Sequence, residues 1–381
     1  MDQQPDGLLF RPGRIGRLAL PNRIVRSATA ERLADDDGVP GPALGGLYLR
    51  LVEGGVGLIV TGHAYVGRQG RCHPEMTGAD RDEMIPHLAR LADAAHAAGG
   101  RIALQINHGG AACDPAVTPE RIAPSGRPLD GDGGGCRPPA REEIPGIVES
   151  YARAARRAKL AGFDAVQVHG AHGYLVSQFL SPLTNRRDDE WGGGLGGRMR
   201  FLREVGRAIR SEVGPGYPLL VKLGVRDYRE GGLSLEEGLE VVASLAEMGF
   251  DGVEVSHGIG GPGKPARRQG ASPAEREARL LEVARRARAA TGLPVILVNG
   301  LRSRAAMEEV LASGAADYVS LCRPLIREPD LPARFRSGAQ DIAACRSCDR
   351  CWPTGLGEGV ACRHPSRGRM EKNGAAGRPV R

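Results

Sequence analysis

The stretch VQVHGAHGYL, residues 166–175, runs an apolar strand straight into two histidines three positions apart, with a tyrosine close behind. Side chains of a strand alternate between its faces, so His169 and His172 would point to opposite sides if the strand continued. Gly170 and Gly173 let the chain turn after Val168 and bring both imidazoles into one mouth. The segment therefore reads as a buried strand that ends at a working edge. Its apolar part, DAVQV (164–168), is one of a series of similar runs: RIVRSAT (23–29), GLIVT (57–61), RIALQI (101–106), LLVKL (219–223), GVEVS (252–256), PVILV (294–298) and DYVSL (317–321). Between them lie segments of helical periodicity, such as 83–99, 143–162, 233–249 and 303–314, several of them closed by glycine.

Strands alternating with helices in this number predict an α/β fold, a (β/α)8 TIM barrel of roughly 250 residues plus insertions. A doubly wound open sheet is the competing arrangement. Its dinucleotide site would need a G-x-G-x-x-G after the first strand, and none is there. The barrel is expected over residues 1–338 and a short Cys-rich extension over 339–381, with the tail 363–381 disordered. The segment 109–142, rich in Pro and Gly, is expected to lie over the barrel mouth, with GDGGG at 131–135 as a mobile tip.

Bulk properties narrow the function classes. The 381 residues are 41% hydrophobic, enough for a sizeable core, and only 4% aromatic, too few for a chain-long stacking surface for nucleic acid. The net charge of +7 is carried by arginines scattered over helices, lysine occurring only at 159, 222, 264 and 372. It reads as a solvated surface, so no nucleic-acid partner is expected. No window reaches the length of a membrane span, and MDQQPDGLLF lacks the pattern of a signal peptide. These features predict a cytoplasmic protein with no membrane partner. Of eight cysteines, Cys72, Cys113, Cys136 and Cys322 are dispersed, while Cys345, Cys348, Cys351 and Cys362 cluster. In a reducing compartment such a cluster suggests metal rather than disulfides.

In a barrel the working residues lie at strand C-termini. The third strand delivers Gln105, Asn107 and His108; the fourth His169, His172 and Tyr174; the fifth Lys222; the seventh Asn299 and Gly300; the eighth Cys322 and Arg323. Three readings of the histidine pair stay open. It could bind zinc, although H-E-x-x-H is absent and no third ligand is offered nearby. It could be a satisfied structural pair, or it could hold an oxygen on which negative charge develops, with Tyr174 supplying a proton. Lys222 ends an apolar strand and needs an anionic partner, either a reduced flavin or a barrel carboxylate. Asn299–Gly300 with Arg323 fits the phosphate corner of a barrel.

The motifs LPNRIVRSAT, GVGLIVTGHA, ALQINHGGA, HGAHGYLVSQFLSPLTNRRDDEWGG, VNGLRS and DYVSLCRPLIREPDL carry a resemblance to the old yellow enzyme family of FMN-dependent NAD(P)H:flavin oxidoreductases, over about residues 8–340. The resemblance implies that Ser27, Ala28, Thr29 and Gly62 line the flavin and that Gln105 meets its pyrimidine edge. It implies that Lys222 stabilises the reduced ring, and that Asn299, Gly300, Cys322 and Arg323 hold the phosphate. His169 and His172 would clamp the carbonyl oxygen of an activated alkene, and Tyr174 would donate a proton as hydride from NAD(P)H, carried by FMN, reaches the β-carbon. Ala30 stands where relatives often carry Thr, Cys or His, and Cys322 where many have Gly. Larger relatives hold a [4Fe–4S] cluster on a run like CRSCDRC (345–351) plus Cys362 and pass electrons to a further flavin domain, which this chain is expected to lack. Zinc or free thiols are the other readings of those cysteines. Rival functions are an amine or alcohol dehydrogenase or demethylase using that cluster, and a non-catalytic flavin-binding redox sensor. Expected partners are a small-molecule substrate and either a second copy of the chain, as a homo-oligomer, or an electron-transfer protein.

Overall fold

The computed structural model describes residues 7–127, 135–261, 272–353 and 355–365. Residues 131–134 of the expected loop tip and 366–381 of the expected disordered tail lie outside the described residues. Eight parallel strands close a barrel: β1 Ile24–Arg26, β2 Leu58–Val60, β3 Ile102–Asn107, β4 Ala165–Gly170, β5 Leu219–Gly224, β6 Gly252–Ser256, β7 Val295–Val298 and β8 Tyr318–Leu321. Closure comes from β1, which pairs with β2 on one side and with β8 on the other. All the expected strand runs are present; β1, β2, β7 and β8 are shorter than expected, while β3, β4 and β5 run one or two residues further toward the mouth, to Asn107, Gly170 and Gly224. The helices packed around them are α1 Pro42–Glu53, α2 Ile85–His96, α3 Ile144–Leu160, α4 Arg200–Val213, α5 Leu235–Ser244, α6 Leu281–Ala290, α7 Arg304–Ala312 and α8 Leu331–Ser337.

Alternation along the strands divides the core in two. On β4 and β5, Val166, Val168, Leu219, Val221 and Leu223 face outward and pack with the helices. Inward at the N-terminal end, Val25, Leu58, Val60, Ala103, Ala165, Leu220, Ile296 and Tyr318 form a separate apolar cluster. A hairpin, Gly13–Ile15 against Leu18–Leu20, plugs this end by adding Ile15, Leu18 and Leu20 to that cluster. Its turn uses Gly16 at φ +54°, a conformation glycine adopts without steric cost. Further along the same inward faces the residues become polar: Gln105, Gln167, Lys222 and Glu254, all buried. The barrel is thus dry and apolar at one end and hydrogen-bonded beneath its mouth.

The 109–142 segment carries more order than a loop. Arg121–Ile122 pairs with Cys136–Arg137, and Arg121 is buried, donating to the carbonyls of Ala111 and Cys113 at 3.1 and 3.4 Å. A charged residue in a Pro/Gly-rich stretch gave no sign of this. The extension after α8 returns to the barrel. The Ala343 N–H donates to the Arg302 carbonyl at 2.8 Å, and the Val360 N–H to the Glu31 carbonyl at 2.9 Å.

Leu220 is fully buried in the small inward cluster. We expect Leu220→Ala to lower unfolding free energy by about 3 kcal/mol, because a barrel interior closed all round cannot collapse into the cavity. Urea denaturation measures it.

Candidate active site

The strand C-termini surround a cleft of about 730 Å³ counted to its open mouth, within the size range of small-molecule sites. Of the residues expected from sequence, Ser27, Ala28, His172, Lys222, Asn299, Gly300, Cys322 and Arg323 line it. Lining residues not foreseen are Ser256, His257, Ser320 and Ser347. Ser256 and His257 sit at the end of β6, whose terminus follows the same strand-end rule as the others.

Beneath the cleft lies a continuous hydrogen-bonded layer. Lys222 Nζ donates to Ser27 Oγ at 2.7 Å and to Glu254 Oε1 at 3.2 Å. Ser27 Oγ donates to the same Glu254 oxygen at 2.7 Å, and Gln167 Nε2 to Glu254 Oε2 at 3.1 Å. Gln105 Nε2 donates in turn to Gln167 Oε1 at 2.7 Å. Lys222 and Glu254 are register partners on β5 and β6, so strand pairing itself sets the ion pair. Burial alone would raise the Glu254 pKa, but the Lys222 charge and the hydrogen bonds from Ser27, Lys222 and Gln167 outweigh it and hold the carboxyl below its ordinary range. The barrel carboxylate that Lys222 needed is therefore Glu254, a residue legible only as one acid inside the apolar run GVEVS. An ammonium has three protons to donate, and among the described residues Lys222 uses them on Ser27 and Glu254 alone. One N–H remains for the cleft.

The histidine pair turns differently from expectation. His172 itself adopts φ +60° and Gly173 φ +75°, whereas Gly170 ends β4 without a positive φ. Holding a non-glycine residue there costs about 1 kcal/mol. It is offset by the His172 N–H donating to the His257 carbonyl at 3.0 Å and by a 2.7 Å bond between His172 Nε2 and Ser256 Oγ. The His169 and His172 rings meet edge-on with centroids 5.0 Å apart, and His169 meets Tyr174 at 4.7 Å. His172 lines the cleft, and His169 stands behind it, buried. The Ala171 N–H donates to His169 Nδ1 at 3.3 Å, which assigns the proton of the neutral ring to Nε2. Burial first, then neighbouring cations and imidazoles, push both histidines well below the ordinary imidazole pKa. Burial likewise raises the Tyr174 pKa, so its phenol stays protonated.

The motif following the pair is scaffolding for it. Gln178, fully buried, donates to the Gly173 and Gly109 carbonyls at 2.6 and 3.2 Å and accepts from the Ala111 N–H at 3.1 Å. That ties the histidine turn to the loop after β3. Asn185 Nδ2 bridges the Phe179 and Trp191 carbonyls, both at 2.8 Å.

At the opposite strands, Asn299 and Gly300 have φ of +91° and +105°. A Cβ on Gly300 would stand 1.9 Å from the Glu277 carbonyl oxygen, so only glycine fits. Arg323 Nη1 donates to Asp349 Oδ1 of the extension at 2.5 Å. The Ser320 hydroxyl is buried at this corner without a hydrogen-bond partner. An arginine, an unpartnered hydroxyl and a glycine-shaped turn suit a phosphate, which would share Arg323 with Asp349 or displace it. The lysine at the other end suits an anionic ring edge, so the cleft fits FMN. The remaining expected residues lie around it. Thr29 Oγ1 is 3.0 Å from Cys322 Sγ, and Gly62 is packed where a Cβ would meet Glu31 and the Thr29 carbonyl. Gln105 belongs to the layer beneath.

The clustered cysteines influence one another at Cys351. Burial, then the nearby Cys345, Cys362, Cys322 and Cys348, push its pKa up to about 11. Among the described residues no three His, Cys, Asp or Glu side chains stand at metal-ligand spacing. Nor is any helix among them long and apolar enough to cross a membrane.

The model of the NADH:flavin oxidoreductase / NADH oxidase family matches residues 8–341. The chain is 37% identical to an NADH oxidase of Thermoanaerobacter brockii over 90% of its own length but 52% of that protein's. It is 35% identical to an NADPH dehydrogenase of Geobacillus sp., covering 91% of this chain and 98% of the other. A 2-naphthoyl-CoA reductase complex shares the fold with a TM-score of 0.82 at 30% identity, over 90% of this chain and 54% of that one. The chain thus spans about half the length of the first of these relatives.

Burial lowers the pKa of His63 and His108 from the ordinary 6.5 to about 4. The unfolded chain therefore takes up these protons first as acidity rises, and the stability they contribute above pH 6.5 is lost as pH falls toward 4. We expect each to remove about 2 kcal/mol between pH 7.5 and 5. Paired urea titrations should show the drop, and His63→Gln should shrink it by that amount.

Proposed function

The chain belongs to the NADH:flavin oxidoreductase / NADH oxidase family, and on that footing we propose that it is an FMN-dependent enzyme that takes hydride from NAD(P)H and reduces an alkene conjugated to a carbonyl. The observation that carries this reading is one cleft lined by His172, Lys222 and Arg323, with His169 and Tyr174 in ring contact behind His172. FMN, when bound, supplies the two-electron relay between NAD(P)H and the alkene. Ser27, Ala28 and Lys222 would hold its ring, and Asn299, Gly300, Ser320, Cys322 and Arg323 its phosphate.

The protein's own groups do the rest. His169 presents Nε2–H, and His172 presents Nδ1–H in the tautomer whose Nε2 accepts from the Ser256 hydroxyl 2.7 Å away. Both rings are kept neutral by burial, so they donate hydrogen bonds to a carbonyl oxygen without surrendering a proton to it. Their grip tightens as negative charge grows on that oxygen. Tyr174, kept protonated, is the acid for the α-carbon. Lys222 offers its free N–H to an anionic ring edge while Glu254 fixes its position.

A second centre is proposed for the extension: a [4Fe–4S] cluster on Cys345, Cys348, Cys351 and Cys362. The support is the close sequence spacing of four cysteines, a donor type that iron–sulfur clusters and zinc both take; their side chains do not stand at metal-ligand spacing, so they would have to close in around the metal. Iron and zinc content, with the absorption spectrum of anaerobically purified protein, tests this. Iron with broad brown absorption is expected, lost in Cys351→Ser. Zinc alone, or neither metal, would refute the cluster.

For the first proposal, we expect His172→Ala to keep FMN but to weaken cyclohexenone binding by roughly tenfold or more, the worth of one well-placed donor. Flavin titration and anaerobic spectra measure both. Unchanged enone binding would remove the clamp. Flavin reduction by a secondary amine without enone turnover would favour a dehydrogenase. Flavin that NAD(P)H does not reduce would favour a sensor.

A further inference from the structure

Cys72 and Cys113 lie 41 positions apart in sequence and meet in the fold. Both are buried and belong to one small cluster with Tyr65 and Met76, against which Tyr174 packs. Gly109 shows how close they come. A Cβ there would stand 2.4 Å from Cys113 Sγ and 2.5 Å from Cys72 Sγ, so the sulfurs are no further apart than about twice that. Their backbones are laced together as well. The Asp114 N–H donates to the Cys72 carbonyl, and the Gly109 N–H to the Gly70 carbonyl, both at 3.0 Å. Each thiol has a weak carbonyl partner, Gly70 O for Cys72 at 3.7 Å and Gln69 O for Cys113 at 3.8 Å. A polar side chain also reaches Cys72: Asn107 Nδ2 is 3.9 Å from its Sγ and 2.9 Å from His63 Nδ1. The neighbouring Cys113 thiol, then burial, raises the Cys72 pKa well above that of an ordinary thiol.

Two sulfurs this close, on neighbouring backbones, need only side-chain rotation and a small shift to reach bonding distance. A cavity walled in part by Gly67, Gln69 and His108 adjoins the same two loops without being lined by either cysteine, the Gln69 carbonyl on its wall lying 3.8 Å from Cys113 Sγ.

We propose that Cys72 and Cys113 are a modification site, a dithiol that a peroxide converts to a disulfide and that thereby restrains Tyr174. The Cys113 sulfur attacks one peroxide oxygen, the O–O bond breaks and water leaves. The Cys72 sulfur then displaces the second oxygen as water and the S–S bond forms. Both thiol protons end in the two waters, each sulfur loses one electron, and the peroxide takes up two. Closing the bond draws the 69–72 and 109–114 segments together beneath the Tyr174 ring and the Gln178 brace, which donates to the Gly109 carbonyl. The consequence for turnover rests on the proposed role of Tyr174; the bond itself does not.

The test uses the holoenzyme treated with hydrogen peroxide, then alkylated and digested without reduction. Mass spectrometry should find Cys72 and Cys113 peptides joined, in wild type but in neither Cys72→Ser nor Cys113→Ser. Enone turnover should fall on the order of tenfold or more, as expected for a displaced catalytic group, and return with dithiothreitol. Both serine variants should keep turnover under peroxide. Free Cys72 and Cys113 after treatment would overturn the site. A joined pair with undiminished turnover would overturn the restraint on Tyr174 and leave the modification standing.

Discussion

The buried ion pair between Lys222 and Glu254 organises the molecule's working end. Its desolvation is tolerable only because Ser27 and Gln167 complete the hydrogen bonding of the carboxylate, and Gln105 orients Gln167. Removing one partner of such a pair typically costs about 3–5 kcal/mol, since the other is left charged and alone. The constraint reaches three strands besides the pair's own two, through Ser27 just after β1, Gln105 on β3 and Gln167 on β4, and it converts the barrel interior from an apolar plug into a polar floor. Above that floor a cation can face the cleft without being free to swing away. The neutral histidines follow from the same arrangement, because Lys222 adds its charge to the effect of burial in keeping both imidazoles unprotonated.

Most of the barrel was legible because its strands are buried on both faces and read as short apolar runs between helical segments. The site was legible wherever a polar residue broke such a run at its C-terminal end, as with Lys222, His169 and Arg323. Glu254 and Gln167 were harder. They sit inside strands, and their meaning depends on which strand lies alongside, which register decides. The His172 turn was foreseen, but its mechanics were not. The positive φ falls on the histidine itself because His257 and Ser256 from β6 hold it there. The meeting of Cys72 with Cys113 had no local signal at all, since only the folding of two loops over one barrel end brings them together.

The extension binds the story of the cysteines to that of the cleft. Asp349, between Cys348 and Cys351 in sequence, holds Arg323 at the end of β8, and Ser347 lines the same cleft. Cys322, at the end of β8, lies near enough to Cys351 to influence its proton. Asp349, Ser347 and Cys322 thus tie the cysteine-bearing extension to the cleft.

The central claim is that the Lys222 floor and the Arg323 corner belong to one flavin site. Its most direct test is an FMN titration by flavin fluorescence quenching of deflavinated wild type and Arg323→Ala. One FMN per chain should bind, and loss of a charge-assisted contact should weaken it by about ten- to a hundredfold. Absence of saturable FMN binding, or equal affinity in the two proteins, would contradict it.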